Sequence, residues 1–195
     1  MPRLGNRGFT LPELLISLVL LGVVLGSVLG VVVSMQRGYV RQREVARADD
    51  ALRLAETTLA GILRMARANP LGMTGASAPR LEANPRNAAG FDNVRVVADF
   101  NPADGATTGL LEDVLVWAES DTIFVRWQAG QQPSPVAFPV RSLLFEYDSS
   151  GTALTTAAAA GRAATRVKVT ITAPRHTRSA ALARREIWVH LRNRS

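Results

Sequence analysis

The feature that most constrains this chain is a long uncharged segment close to its N-terminus. From Leu14 to Met35 no residue is charged, and only three serines interrupt the run of aliphatic side chains and glycines. As an α-helix, these roughly 22 residues would extend about 33 Å. Because the hydrocarbon core of a bilayer is about 30 Å thick, the segment predicts a membrane-spanning helix.

Neither a signal peptide nor a plain membrane anchor accounts for all features of this segment. A secretory signal peptide has an apolar region of about 7 to 15 residues with a small-residue cleavage site after it, and this run is longer and lacks a clear site. A plain membrane anchor accounts for the length but not for Glu13, which stands at the start of the apolar run. A carboxylate at the edge of hydrocarbon is costly unless it is paired, so Glu13 indicates a function.

A third interpretation accounts for both observations. Residues 8 to 14, Gly-Phe-Thr-Leu-Pro-Glu-Leu, closely resemble the N-terminal cleavage and methylation motif of type IV prepilins and type II secretion pseudopilins. The resemblance implies that a prepilin peptidase cuts between Gly8 and Phe9 and that the new amino group of Phe9 is methylated. It also implies that Glu13 pairs with the N-terminal amine of a neighbouring subunit during assembly. Physically this is reasonable, because a buried carboxylate and a buried ammonium are each costly alone and tolerable together.

The chain divides into five predicted segments. We expect a cleaved basic leader over 1–8, a transmembrane helix over 9–35, an amphipathic continuation over 36–68, a connecting loop over 69–93 and a β-sheet domain over 94–195. Small and apolar residues alternate spacings of three and four along the continuation, which predicts one buried stripe: Val45, Ala48, Leu52, Ala55, Leu59, Ile62 and Ala66. Asn69-Pro70 is expected to end the helix.

Small residues also recur within the predicted span. They stand every fourth position, at Gly22, Gly26, Gly30 and Ser34. This spacing places them on one helix face, where a second helix could approach closely. We therefore expect a helix-packing face there.

The second half of the chain carries strand signals. Val114 to Trp117 and Thr122 to Trp127 flank Ala-Glu-Ser-Asp and predict a hairpin, whose tryptophans Trp117 and Trp127 we expect in the core. Further strands are expected at 94–100, 136–147 (interrupted by Pro139, which suggests an edge position or a start at Val140), 166–173 and 187–191. The Ala-rich stretch 153–164 reads mainly as loop, with a helical turn possible. The expected fold class is α+β and pilin-like: a long N-terminal helix packed on an antiparallel sheet of five or six strands.

Three short stretches in this half carry a looser resemblance. They begin at Arg141, Val167 and Val189 and look like the W-type minor pilins and the J-type minor pseudopilins. This resemblance implies a minor subunit that initiates or caps a type IV pilus or a type II secretion pseudopilus. The type IV pilus, type II secretion and competence machineries remain open alternatives.

The residues that usually carry catalysis or bind metals form no recognisable motif. His176 and His190 lack zinc-ligand spacing, and there is no nucleophile elbow, phosphate loop or dinucleotide fingerprint. Asp99 and Asp104 are too few for calcium. The acids at strand ends are expected to be solvated: Glu112, Asp113, Glu119 and Asp121. We therefore expect no cofactor, no metal and no enzyme activity.

The charge pattern indicates partners and location. The formal charge is +7, and all basic residues except Lys168 are arginines that are scattered along the chain, which disfavours nucleic acid as a partner.

The expected partners are prepilin peptidase, other pilins and the inner membrane, with the N-terminus cytoplasmic and the C-terminal domain periplasmic or extracellular. That orientation depends on the leader motif, because arginines also follow the span at positions 37, 41, 43 and 47. The alternatives are a pilus-tip binding module, contacting DNA, a secreted protein or a surface through 69–93 or a basic surface, and, less favoured, a membrane-anchored enzyme.

Overall fold

A computed structural model describes residues 10–71, 73–75, 78–86, 92–99, 103–174 and 182–191. The chain divides into two compact units, Met1–Arg43 and Glu44–Ser195. The first helix, α1 (Leu11–Met65), contributes residues to both units.

Among the described residues of the first unit, the apolar side chains of α1 have no packing partner. Its aliphatic residues are each more than two-fifths exposed, for example Leu14 at 53%, Val23 at 66% and Leu29 at 62%. By length and composition, α1 is able to cross a membrane. An apolar helix with no buried face belongs in an apolar medium.

The second unit holds the remaining elements, which form two antiparallel sheets. The first sheet has the order β1-β2-β3-β4-β5 and the second the order β7-β6-β8-β9. The bounds of these elements are β1 Arg80–Ala83, β2 Asn93–Val97, β3 Asp113–Glu119, β4 Thr122–Arg126, β5 Ser134–Ala137, β6 Ser142–Ser149, β7 Thr152–Leu154, α2 Ala157–Ala163, β8 Arg166–Pro174 and β9 Leu182–His190.

One hydrophobic core joins the second part of α1 to both sheets. The helix contributes a small-sided stripe, which Ala66 continues just beyond its last residue: Ala48, Ala51, Leu52, Ala55, Leu59, Ile62 and Leu63. The sheets contribute alternate residues of their inner faces, among them Val116 and Ile123 of the first and Phe145 and Val169 of the second. The predicted stripe is confirmed from Ala48 to Ala66, but it was wrong for Val45, which is 43% exposed.

The fold class is confirmed as α+β, whereas the count of strands was too low. The described residues form nine strands in two sheets instead of five or six in one. The segment 69–93, expected to be a loop, contains β1, and the expected strand 136–147 is split between β5 and β6, with Pro139 in the connection. Proline lacks the N–H that a ladder needs, so neither strand continues through it.

Two further boundaries differ from expectation. Helix α1 ends at Met65 rather than at residue 68, because Arg67 adopts a left-handed φ of 63° that interrupts the helix. The Ala-rich stretch forms α2, whose N-terminus is capped by Thr156 accepting a hydrogen bond from the Ala159 amide. Glycine is required at Gly161, where an added Cβ would lie 2.8 Å from the carbonyl oxygen of Leu81 in β1.

The predicted hairpin is confirmed as β3 and β4. Glu119 lies opposite Thr122, so Ser120 and Asp121 alone make the turn, with φ of 49° and 63°. Positive φ at both positions is the type I′ geometry, which matches the twist of the two strands.

Replacing Leu59 by alanine tests the core beneath α1. Leu59 is fully buried, so Leu59→Ala should lower the free energy of unfolding by about 2–5 kcal/mol through lost burial and a residual cavity. All three tryptophans lie in the second unit, so denaturation of the full chain in detergent followed by tryptophan fluorescence reports on this unit. Leu54→Ala is the matched control: Leu54 is 53% exposed, and its loss should cost less than about 1 kcal/mol. Equal losses for the two variants would contradict the packing described here.

Candidate assembly site

The start of α1 positions Glu13 within the first helical turn. The carbonyl oxygen of Thr10 accepts hydrogen bonds from the amides of Glu13 and Leu14, both at 3.1 Å. Pro12 falls in the same turn, where its missing N–H would lack a partner in any case. The predicted cleavage and methylation residues, Gly8 and Phe9, lie outside the described residues. The geometry therefore places a carboxylate one turn into the helix, where the helix dipole favours negative charge.

The carboxylate of Glu13 has no cationic partner in the described part of the chain. The residue is exposed, and its local contact is through the backbone, where its carbonyl oxygen accepts a hydrogen bond from the Ser17 hydroxyl at 2.8 Å. An ionised carboxylate in or beside hydrocarbon requires a partner. A cation that pairs with Glu13 would come from outside the described residues or from another molecule.

The predicted packing face of α1 is open. A Cβ added at Gly22, Gly26 or Gly30 would meet no atom within 4 Å, and Ser34 is exposed. No contact within the described chain requires glycine at these positions. The four small residues therefore leave a smooth helix surface that a second helix could approach closely.

The outer face of the first sheet carries a charge network that sequence reasoning missed. Arg95 in β2 makes a two-pronged contact with Asp113 in β3, Nε to Oδ1 at 2.6 Å and Nη2 to Oδ2 at 2.8 Å. Its Nη1 also lies 3.2 Å from Glu82 in β1, which Arg80 contacts in turn. The hydrogen bond to Asp113 chiefly raises the pKa of Arg95 above its usual range. The network ties β1, β2 and β3 together on the face away from the core.

Two of the acids predicted to be solvated are buried. Asp113 is 4% exposed because of its pairing with Arg95, and Glu112 is 1% exposed and accepts a hydrogen bond from the Gly109 amide at 2.8 Å. For these two residues the prediction was wrong. Glu119 and Asp121 do have exposed side chains, at 60% and 52%, although each also pairs with an arginine.

Trp117 lies on the same outer face and not in the core, so that prediction was wrong, whereas Trp127 packs against the core. Trp117 stacks on Phe124 with ring centroids 5.7 Å apart, and the Arg86 guanidinium lies 4.3 Å from the Trp117 ring centroid. The indole N–H donates to Glu119 at 3.0 Å. A pocket of about 250 Å³ opens here, lined by Arg86, Asp92, Asn93, Trp117, Ala118 and Glu119. Its charged groups already have partners within the pocket: Arg86 with Glu119, and Asp92 with the Asn93 amide.

The outer face of the second sheet is also a set of mutually neutralised charges. Lys168 lies between Glu146 and Glu186, at 3.1 and 3.2 Å, and hydrogen bonds to these carboxylates, Glu146 first, raise its pKa. Arg166 lies 2.8 Å from Asp148, and this contact, followed by the Gly151 amide, lowers the pKa of that carboxyl. Trp188 stays 51% exposed, with Arg166 at 4.7 Å from its ring centroid.

A second arginine that sequence reasoning missed secures α2. The guanidinium of Arg67 donates hydrogen bonds to the carbonyl oxygens of Ala164, at 3.0 Å, Ala160 and Gly161. A cation at the C-terminus of a helix satisfies carbonyls that lack intrahelical donors. No local sequence pattern predicts this role of Arg67, because its hydrogen-bond partners are almost a hundred residues away.

Metal-binding groups are not assembled in the described part of the structure. No cluster of three or more histidine, cysteine, aspartate or glutamate side chains occurs among these residues. His190 is exposed on β9, and His176 lies outside the described residues. The buried carboxylate of Asp99 is used locally, accepting from the amides of Asp104 and Gly105 at 3.2 and 3.3 Å.

A family model matches the N-terminus of the chain. Residues 3–29 match the family model described as the prokaryotic N-terminal methylation motif. No curated protein matches the chain. The matched residues include Gly8, Phe9 and Glu13 and run into the exposed apolar part of α1. The chain therefore carries the prokaryotic N-terminal methylation motif, which is the motif of type IV prepilins and pseudopilins.

Proposed function

We propose that this protein is a pilin-like structural subunit, matured by prepilin peptidase and assembled into a filament through α1. Cleavage falls between Gly8 and Phe9, and the new N-terminus of Phe9 is methylated. One observation carries the proposal: the methylation motif runs directly into a helix whose apolar side chains are exposed in the first unit. Such a helix needs lipid before assembly and the helices of other subunits afterwards.

Glu13 is the residue that we assign to subunit assembly. Among the described residues it has no cation, and it stands in the first turn of a helix flanked by apolar side chains. The methylated ammonium of Phe9 on a neighbouring subunit would neutralise it. The face formed by Gly22, Gly26, Gly30 and Ser34 supports the same arrangement, since it allows a neighbouring helix to approach closely.

The proposed segment division follows from this assignment. Residues 1–8 form the leader, 9–35 the transmembrane helix and 36–65 its continuation to the end of α1. The expected connection over 69–93 contains β1, so the sheet domain begins at Arg80. The subunit is a single-pass inner-membrane protein before assembly, with a cytoplasmic leader and a periplasmic domain, and a filament component afterwards. The paired charges on both sheets favour a structural domain over a catalytic one.

We infer a minor subunit, one that initiates or caps a filament of the type IV pilus or type II secretion pseudopilus. Three stretches that resemble W-type and J-type minor subunits support this. Their described residues lie mainly in β6, β8 and β9, which are neighbouring strands of the second sheet.

A binding role at the tip is the second candidate, and the pocket beside Trp117 is the feature that favours it. The pocket presents an aromatic ring together with Asn93 and Glu119. A nucleic-acid partner is disfavoured, because the arginines are scattered along the chain and several of those on the sheets pair with carboxylates. A secreted protein or another surface is the better match.

Replacing Gly8 tests maturation. Gly8→Ala should leave the leader attached, because a Cβ at the cleavage position obstructs a peptidase site shaped for glycine. Intact mass of the membrane-extracted protein, made with the peptidase present, reads out both cleavage and methylation. Gly5→Ala, elsewhere in the leader, is the control and should be processed normally. A wild-type chain that keeps residues 1–8 under these conditions would contradict the proposal.

Replacing Glu13 tests assembly separately from maturation. Glu13→Gln keeps the size of the side chain and removes its charge, which leaves the neighbouring ammonium unpaired. Breaking a buried ion pair costs about 3–5 kcal/mol, so incorporation into sheared filaments should fall at least about tenfold while processing continues. Asp49→Asn, at an exposed position further along α1, is the control. Normal incorporation of the Glu13→Gln variant would remove Glu13 from the assembly site.

A further inference from the structure

Three arginines follow the apolar segment of α1 within one short stretch. Arg37, Arg41 and Arg43 are all exposed on the helix, and no acidic residue stands between Glu13 and Glu44. Tyr39, in the same stretch, is 67% exposed. This stretch, residues 36–43, is termed the arginine segment.

The arginine segment differs from the arginines of the sheet domain in how its charges are satisfied. On the two sheets, three arginines pair closely with carboxylates: Arg80 with Glu82, Arg95 with Asp113, and Arg166 with Asp148. Among the described residues, no carboxylate lies within ion-pairing distance of Arg37, Arg41 or Arg43. These three guanidinium groups are therefore available to an anion from outside the chain.

The position of the segment indicates where that anion lies. At 1.5 Å per residue, Arg37 is about 3 Å and Arg43 about 12 Å along the helix beyond Met35. A bilayer about 40–45 Å thick around a 30 Å hydrocarbon core has a polar layer of about 5–8 Å on each side. Flexible arginine side chains reach both ways along the helix, so all three can place their charge in or at this layer. Tyr39 adds an amphipathic ring of the kind enriched at membrane interfaces.

We propose that Arg37, Arg41 and Arg43 bind the phosphate groups of anionic phospholipids in the leaflet at which α1 leaves the membrane. The proposal rests on the proposed function, which places this segment on the translocated side. Arginines there oppose the usual bias of basic residues towards the cytoplasm, and anionic headgroups offset that bias. Guanidinium is suited to the role, since its planar fork of N–H donors contacts phosphate oxygens in pairs. The bound lipids fix how deep α1 sits in the bilayer before the subunit is extracted into a filament.

The test measures which lipids stay with the full chain. Wild-type protein, an Arg37→Gln/Arg41→Gln/Arg43→Gln variant and a control variant are reconstituted in nanodiscs of phosphatidylcholine with a minority of phosphatidylglycerol. Native mass spectrometry then gives the ratio of the two lipids retained. The control, Arg53→Gln/Arg64→Gln/Arg162→Gln, removes three exposed arginines at helical positions of the second unit. Tryptophan fluorescence verifies that both variants are folded.

We expect the wild type and the control to retain phosphatidylglycerol at least about fivefold over its bulk ratio, and the triple variant of the arginine segment to return to the bulk ratio. The enrichment should persist in excess inorganic phosphate, because the ligand is a headgroup held at the membrane surface.

Three results would overturn the proposal: no enrichment in the wild type, equal loss in the control, or loss of enrichment to free phosphate. A fourth result would identify protein rather than lipid as the partner. In that case the triple variant of the arginine segment would keep the wild-type lipid ratio but lose cross-links between subunits. The arginines would then pair with carboxylates of a neighbouring copy. Lipid retention requires neither leader cleavage nor filaments. Intact mass of the same samples therefore distinguishes failure of this proposal from failure of the maturation scheme.

Discussion

The stability of this structure depends on an apolar environment for the apolar side chains of α1. In the second unit its stripe from Ala48 to Ala66 is buried against two sheets. In the first unit the side chains of α1 are more apolar than those of this stripe, and yet the aliphatic ones are all exposed. Burial of apolar area is the main favourable term in folding, so a helix with this much exposed aliphatic surface is stable only in a second apolar medium. Under the proposed function, these media are lipid before assembly and the helices of neighbouring subunits after it.

The domain attached to this helix is stabilised differently. Its small-sided helix stripe, rich in alanine, lets the backbone of α1 lie close to the sheets, while Phe145 and the branched residues fill the space between. Outside the core, cross-strand ion pairs cover both sheets, and the two-pronged contact between Arg95 and Asp113 is the best shielded of them. These charges pair with one another, whereas Glu13 and the three arginines of the arginine segment, which flank the exposed apolar part of α1, have no ion-pair partner among the described residues.

Much of this architecture could be predicted from the sequence, and the failures have a common physical cause. The stripe of α1, the hairpin of β3 and β4 and the methylation motif are local patterns, so spacing alone reveals them. The burial of Asp113, the outward position of Trp117 and the role of Arg67 depend on pairings between distant segments. Strand register decides which residues share a face, and a one-residue change of register would move Trp117 to the other side of the sheet. The division into two sheets was missed for the same reason: Pro139 marks a break in the sequence, but nothing near it states that the chain moves to a different sheet.

The most direct test of the central claim is a spin-label scan along α1 in bilayers. The chain has no cysteine, so single cysteines can be introduced one at a time without background labelling. Collisions with oxygen report lipid exposure, and collisions with a water-soluble nickel complex report water exposure. The account predicts that positions 14–35 favour oxygen on every helix face, increasingly towards the middle. Positions 44–65 should instead show burial that repeats about every 3.6 residues. A repeat of that period within 14–35, or water exposure throughout it, would mean that this half of the helix packs on protein or lies in solvent, and would contradict the account.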